Sequence, residues 1–181
     1  MQQISQAVEV VKTGGIIFYP TESIYGLGCD PFNELACSQL LKIKNRHNKS
    51  GLICLISNLK HLNDLVAPIR TYDYLQIKNS CEDHISWVLP AKKDLPIWLR
   101  STENTICVRY SRNPAIINLC DALDAPIIST SANLQGEAPV ASITEAKKIF
   151  KNQIDYYLDT PLGDKDKASR IKTIVGDLIR L

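Results

Sequence analysis

Apolar residues recur along the chain in two rhythms, and the alternation between them predicts the fold. Ala7, Val8 and Val11 share one face of a helix that Ser5 can cap and Gly14-Gly15 ends. The unbroken run IIFY (16–19) reads as a buried strand stopped by Pro20. Asn33 caps a helix over ELACSQLLKIK, in which Ala36, Leu40 and Ile43 recur at helical spacing. LICLI (52–56) is a further buried strand, and Ser57 or Asn58 opens a short helix through Leu65. Residues 66–104 carry a weaker pattern, with ISWVL (85–89) a strand and LPIWLR (95–100) a helical turn. TICVRY (105–110) is a strand, and Asn113-Pro114 is a cap with proline at the first helical position. The helix behind it buries Ile116, Leu119, Cys120 and Leu123. APIIST (125–130) is a strand running into SANLQG, and Ser142 or Thr144 starts a helix to Phe150. Two short strands near 155–159 and 171–175 complete the sheet. Strands and helices alternate, but irregularly and with a hairpin-like middle. One α/β domain over residues 1–181 follows, a twisted mixed β-sheet with flanking helices rather than a regular doubly wound one.

Composition narrows the class without choosing a function. The chain has 181 residues, 45% of them apolar and 22% charged, which suits one well-buried domain. A net charge of +2 offers no whole-molecule argument for nucleic-acid or membrane binding. Six cysteines are scattered with no CxxC pair, and His47, His61 and His84 stand apart from them, so metal-ligand spacing is absent. Free thiols inside apolar runs predict a reducing, cytoplasmic setting. The opening MQQISQAVEVVKTGG lacks a signal-peptide pattern, and no apolar run approaches the length that spans a bilayer.

Four clusters of polar residues stand in or just after the elements of this pattern. FYPTESIYGLGCD (18–30) places Thr21, Ser23 and Tyr25 on one corner, where a plain turn needs fewer such residues. KNRHNKSG (44–51) gathers Lys44, Arg46 and Lys49 at a helix C-terminus, either to compensate the helix dipole or to face a nucleotide from an exposed helix end. In TICVRY, Thr105, Cys107 and Arg109 project to one face and Ile106 and Val108 to the other. An arginine flanked by apolar strand residues calls for an anionic partner. STSAN (129–133) supplies small hydroxyls and Asn133, which a helix cap would also explain. Together, cations and hydroxyls at loop ends suit phosphate and carboxylate substrates. Neither a GxxxxGK[ST] loop nor a GxGxxG turn is present, so such a site works by positioning and positive charge.

YPTESIYGLGCDPFNELA, KIKNRHNKSGL, TICVRY and PIISTSANLQG, in that order and spacing, resemble the YrdC/TsaC family of threonylcarbamoyl-AMP synthases over nearly the whole chain. The resemblance implies a single domain with a concave basic face. It also implies condensation of L-threonine, bicarbonate or CO2 and ATP into threonylcarbamoyl-AMP and pyrophosphate. A separate complex would then pass the threonylcarbamoyl group to adenosine 37 of tRNA. By motif, Ser23, Arg109, Ser131 and Ser169 are implied on the threonine side. Arg46, Thr105, Asn133 and Arg180 are implied on the nucleotide side, with Lys44 and Arg46 as the catalytic cations. The chain departs from the family at ASRIKTIV (168–175), where relatives carry PST or PSE. No tightly bound cofactor is expected beyond the Mg2+ that accompanies ATP. A non-catalytic module for double-stranded RNA or tRNA is the alternative, and a carbamoyl-phosphate-using domain of the hydrogenase-maturation type is a third reading.

Overall fold

The first helix, α1 (Gln2–Lys12), begins ahead of Ser5, because nothing in Gln2–Ile4 breaks the helix that Ala7, Val8 and Val11 anchor to the core. Gly14 ends it in the left-handed region, at φ +86°, where a Cβ is strained. The computed structural model describes residues 2–45, 52–80 and 82–180.

The next two strands correct the sequence reading. β1 (Ile17–Pro20) includes Pro20, and half of the presumed loop is a strand, β2 (Tyr25–Gly28), paired antiparallel with β1 from Ile17↔Gly28 to Pro20↔Tyr25. Glycines at alternate positions hide the strand pattern of YGLG. Pro20 is tolerated because it is the last residue before the corner, where Thr21 N and Oγ1 both donate to Ile24 O (3.1 and 2.7 Å).

Several local signals hold. Asn33 Oδ1 accepts from Ala36 N at 3.0 Å and caps α2 (Glu34–Ile43). After β3 (Ile53–Ile56), Asn58 opens a 3-10 turn (Leu59–His61) that continues as α3 (Leu62–Leu65). Then comes α4 (Thr71–Asn79), a helix the sequence reading lacks. Of its nine residues only Asp73 and Ile77 are buried, so it shows no apolar stripe. Its start is held instead by Arg70 and Asp73, whose side chains meet at 2.8 Å. LPIWLR forms hydrogen-bonded turns, as expected, pinned where Trp98 Nε1 donates to Pro31 O (3.0 Å).

The middle strands are β4 (Ile85–Pro90) and β5 (Thr105–Tyr110). Asn113 caps α5 (Pro114–Leu123), and the chain returns as β6 (Ile127–Ser131). Ser142 Oγ accepts from Glu145 N to start α6 (Ile143–Phe150). The two expected final strands are β7 (Tyr156–Tyr157) and β8 (Arg170–Thr173), and a third, β9 (Leu178–Arg180), was not anticipated.

These strands form one open mixed sheet in the order β7-β1-β2-β6-β3-β5-β4-β8-β9. Parallel pairs (β1/β7, β3/β5, β4/β8) interrupt antiparallel ones. One face buries Phe18, Leu27, Cys54, Val108 and Ile128 with residues of α2, α4 and α6. Burying one such side chain stabilises by about 1.5–3 kcal/mol. The opposite face buries Ile17, Tyr19, Ile53, Leu55 and Ile127 under α1 and α5. Among the described residues no helix is long and apolar enough to cross a membrane.

Candidate active site

The face under α1 and α5 changes character along its strands. On β6, Ile127 is followed at the same-face positions by Ser129 and Ser131, and on β5 Arg109 follows Cys107. On β2 this face carries only Gly26 and Gly28. A Cβ at Gly28 would stand 2.3 Å from Ile128 O and 2.7 Å from the Tyr19 ring, so the absent side chain lets Tyr19 close the floor. Sheet twist then brings distant ends together. β1 and β5 are four steps apart, and at roughly 20–25° per step their axes diverge by roughly 80–100°. The corner after β1 thus meets the end of β5.

What meets there is a carboxylate that the sequence reading did not select. Glu22 Oε2 accepts from Arg109 Nη2 at 2.9 Å, and Oε1 accepts from Ser111 Oγ at 2.5 Å. His84 Nε2 stands 3.5 Å from Oε2. Burial by itself pushes the Glu22 carboxyl up; the Arg109 guanidinium, with His84 and the Ser111 hydroxyl, outweighs it and holds the pKa down at about 2. The anionic partner that Arg109 required is therefore within the chain. Arg109 is 6% exposed, so it is no open cation on a solvated wall. Three buried polar atoms at this corner, Ser23 Oγ, His84 Nε2 and Arg109 Nε, have no hydrogen-bond partner among the described residues.

Lys44 differs more from its expected place. Expected at an exposed helix end, it caps α2 and is 0% exposed. Its Nζ donates to Ser131 O and Asn133 Oδ1 (both 2.5 Å) and to Asn133 O. Ser131 Oγ also donates to Asn133 Oδ1 (2.6 Å), and Asn133 Nδ2 donates to Glu137 O (2.6 Å). The STSAN stretch thus ends β6 and then turns around an ammonium, and it is not a helix cap. Charge and donor count explain the choice of residue: a lysine offers three donors to converging oxygens, and dipole compensation needs none of them.

The remaining sequence-selected residues fall in several places. Ser169 is buried, its hydroxyl 2.8 Å from Ser86 Oγ at the start of β4. Thr105 shares the strand face of Arg109 but not its neighbourhood: it lies about 13 Å away along β5, with its hydroxyl 2.8 Å from Ser101 Oγ. The backbone of Arg180 pairs with Ile171 in β9. Arg46, and with it His47 and Lys49, lies outside the described residues. So the structure gathers Lys44, Ser131 and Asn133 in one group. It brings Arg109 to the corner that carries Ser23, and it leaves Thr105 apart from both. Glu22 was legible only as the carboxylate of the PTES corner; nothing local reveals its partners.

The family model for Sua5, YciO and YrdC, described as "Telomere recombination", matches residues 9–180. The chain belongs to the Sua5/YciO/YrdC family. It is 38% identical to a threonylcarbamoyl-AMP synthase of Coxiella burnetii (strain RSA 493 / Nine Mile phase I), over 99% of this chain and 97% of that one. With the threonylcarbamoyl-AMP synthase of Pseudoalteromonas translucida (strain TAC 125) it shares 43% identity, over 93% and 91% of the two chains. Among solved structures, E. coli YciO superposes with a TM-score of 0.84 at 25% identity, covering 99% of this chain and 91% of that one. P. abyssi Sua5 complexed with L-threonine superposes with a TM-score of 0.86 at 24% identity, covering 94% of this chain and 50% of that one. Membership of the Sua5/YciO/YrdC family accounts for the mixed open sheet and for the order in which the motifs enter it.

Proposed function

We propose that the chain is a threonylcarbamoyl-AMP synthase: it condenses L-threonine, bicarbonate or CO2 and ATP into threonylcarbamoyl-AMP and pyrophosphate. The observation that carries this reading is the end-to-end similarity, 38% identity over 99% of this chain and 97% of a relative of that name. In the reaction, the threonine amine takes up CO2 to form a carbamate, and a carbamate oxygen attacks the α-phosphorus of ATP. The bond to the β-phosphate oxygen breaks, and pyrophosphate leaves. An anion must approach an anion, so the protein's contribution is to position both and to set cations beside them.

In this reading the Ser23–Arg109 corner, with Ser169 and Ser131, takes the threonine side. Arg46, Thr105, Asn133 and Arg180 take the nucleotide side, whose cations form a basic concave face. The unpartnered Ser23 Oγ and Arg109 Nε support a small polar ligand at the first of these places. Lys44 serves through the turn it holds. Mg2+ enters with ATP, no other cofactor is required, and the product passes to a separate cytoplasmic complex that modifies tRNA.

The test is pyrophosphate release from ATP and bicarbonate with and without L-threonine. Release that requires threonine is expected. Release that needs carbamoyl phosphate in place of threonine would favour a carbamoyl-phosphate type of chemistry, and no release with either would favour a non-catalytic RNA-binding module.

A further inference from the structure

We propose that Glu22 is a positioning residue of the amino-acid side of the site: it sets the direction of the Arg109 guanidinium and holds the corner that carries Ser23. The inference rests on the synthase reading for the identity of the ligand, and on geometry for the rest. Glu22 spends its two oxygens on different elements. One takes Arg109 Nη2 from within β5, and the other takes Ser111 Oγ just beyond that strand. Spanning both requires the full length of a glutamate, since each contact is at hydrogen-bond distance and the carboxyl is planar.

Its backbone is tied as firmly. Glu22 O accepts from Lys165 N and Thr21 O from Gly163 N, each at 2.9 Å. Gly163 lies so close over Glu22 that a Cβ there would stand 2.7 Å from both Glu22 Cα and Glu22 O. The corner after β1, the end of β5 and the loop that follows β7 are thereby fastened at one residue. With Nη2 committed to Glu22, one corner of the guanidinium is held. Its Nε–H stays buried without an acceptor among the described residues. Ser23, next in the chain, presents a hydroxyl oxygen in the same condition. Buried donors left open beside a fixed ion pair are what a site needs to grip a carboxylate in one orientation. Without Glu22 the arginine would retain its charge but lose its direction.

Two substitutions separate reach from charge. Glu22→Asp keeps the charge and loses a methylene, so it cannot span Arg109 and Ser111 together. Glu22→Gln keeps the length and an acceptor oxygen. Steady-state pyrophosphate release should show the threonine KM of Glu22→Asp raised about tenfold, with the ATP KM within about twofold of wild type. Glu22→Gln should raise the threonine KM by less than Glu22→Asp does. Equal rises for both substrates, no rise, or a glutamine variant as impaired as the aspartate would overturn the proposal.

A second readout needs no substrate. The Nε–H resonance of Arg109, assigned by its loss in Arg109→Lys, should exchange slowly with water in the wild-type protein and fast in Glu22→Asp. An unchanged resonance counts against the proposal. If wild-type protein releases no threonine-dependent pyrophosphate, the synthase reading fails, and this resonance still decides whether Glu22 orients Arg109.

Discussion

Replacing Lys44 by methionine removes an ammonium while keeping an unbranched side chain of similar bulk. In the folded protein that ammonium contacts two backbone carbonyls, of Ser131 and Asn133, and the Asn133 side-chain oxygen. Asn133 Oδ1 would still accept from Ser131 Oγ, so the two carbonyls bear most of the loss. A hydrogen bond to a charged group is worth about 1.5–3 kcal/mol, giving a gross loss of about 3–6 kcal/mol. Relief from burying an ammonium offsets part of this. The expected net destabilisation is about 2–4 kcal/mol, out of a total of roughly 5–15 kcal/mol for a domain. Urea denaturation followed by circular dichroism measures it as a midpoint lowered by about 1–2 M, taking a slope of about 2 kcal/mol per M. Turnover should fall in parallel at urea-free conditions where the variant is still folded, because the Ser131–Asn133 turn is no longer held. A Lys44→Met midpoint within about 0.25 M of wild type would refute the clamp, since that corresponds to about 0.5 kcal/mol, the scale of a surface substitution.

Arg109→Lys preserves charge but not the planar set of donors, so apparent threonine affinity should fall while ATP binding changes little, read by calorimetric titration. Arg109→Met leaves the Glu22 carboxylate buried without its counter-ion and should cost stability by about 3–5 kcal/mol in the same urea assay. The acid limb of stability should carry the mark of Glu22: its folded pKa near 2 lies below the ordinary 4.5, so its contribution is complete above about pH 4.5 and is lost as pH falls towards 2. Glu22→Gln should flatten that limb in a pH series of urea midpoints; an unchanged slope would assign the acid loss elsewhere. Gly28→Ala puts a Cβ against Ile128 O and Tyr19, and should lower stability by about 1–3 kcal/mol or more, measurable by thermal melting.

Much of the architecture was legible because its causes are local. Asn33, Asn113 and Ser142 cap the helices they were expected to cap, since a short polar side chain before an apolar stripe satisfies the backbone N–H groups of the first turn wherever it occurs. In TICVRY the alternation held as well: Ile106 and Val108 enter one core and Cys107 packs against the other. The family itself was readable from PTESIYGLG and STSAN, because short stretches of distinctive residue types at fixed spacing carry it. Where side chains carry no such pattern, the reading failed for reasons of the same kind. The glycines of YGLG conceal a strand that faces Tyr19, and α4 has no apolar stripe to announce it.

By itself the sequence determined which segments would become strands and helices over most of the chain, the mixed α/β class, and the inventory of cations and hydroxyls available to a site. Only the tertiary structure decided what those groups do. Glu22 and Arg109 are 87 residues apart, and Lys44 and Asn133 are 89 apart. No local propensity links such pairs: Glu22 reaches Arg109 because the sheet order sets β1 four strands from β5 and twist turns their ends together, and Lys44 reaches Asn133 because the end of α2 lies against the turn after β6. That long-range meeting gives Arg109 the anionic partner it called for, and turns Lys44 from a surface charge into the centre of a turn. Ion pairs and buried ammonium contacts depend on distance through space and on removal from water, and neither quantity is written in the order of residues.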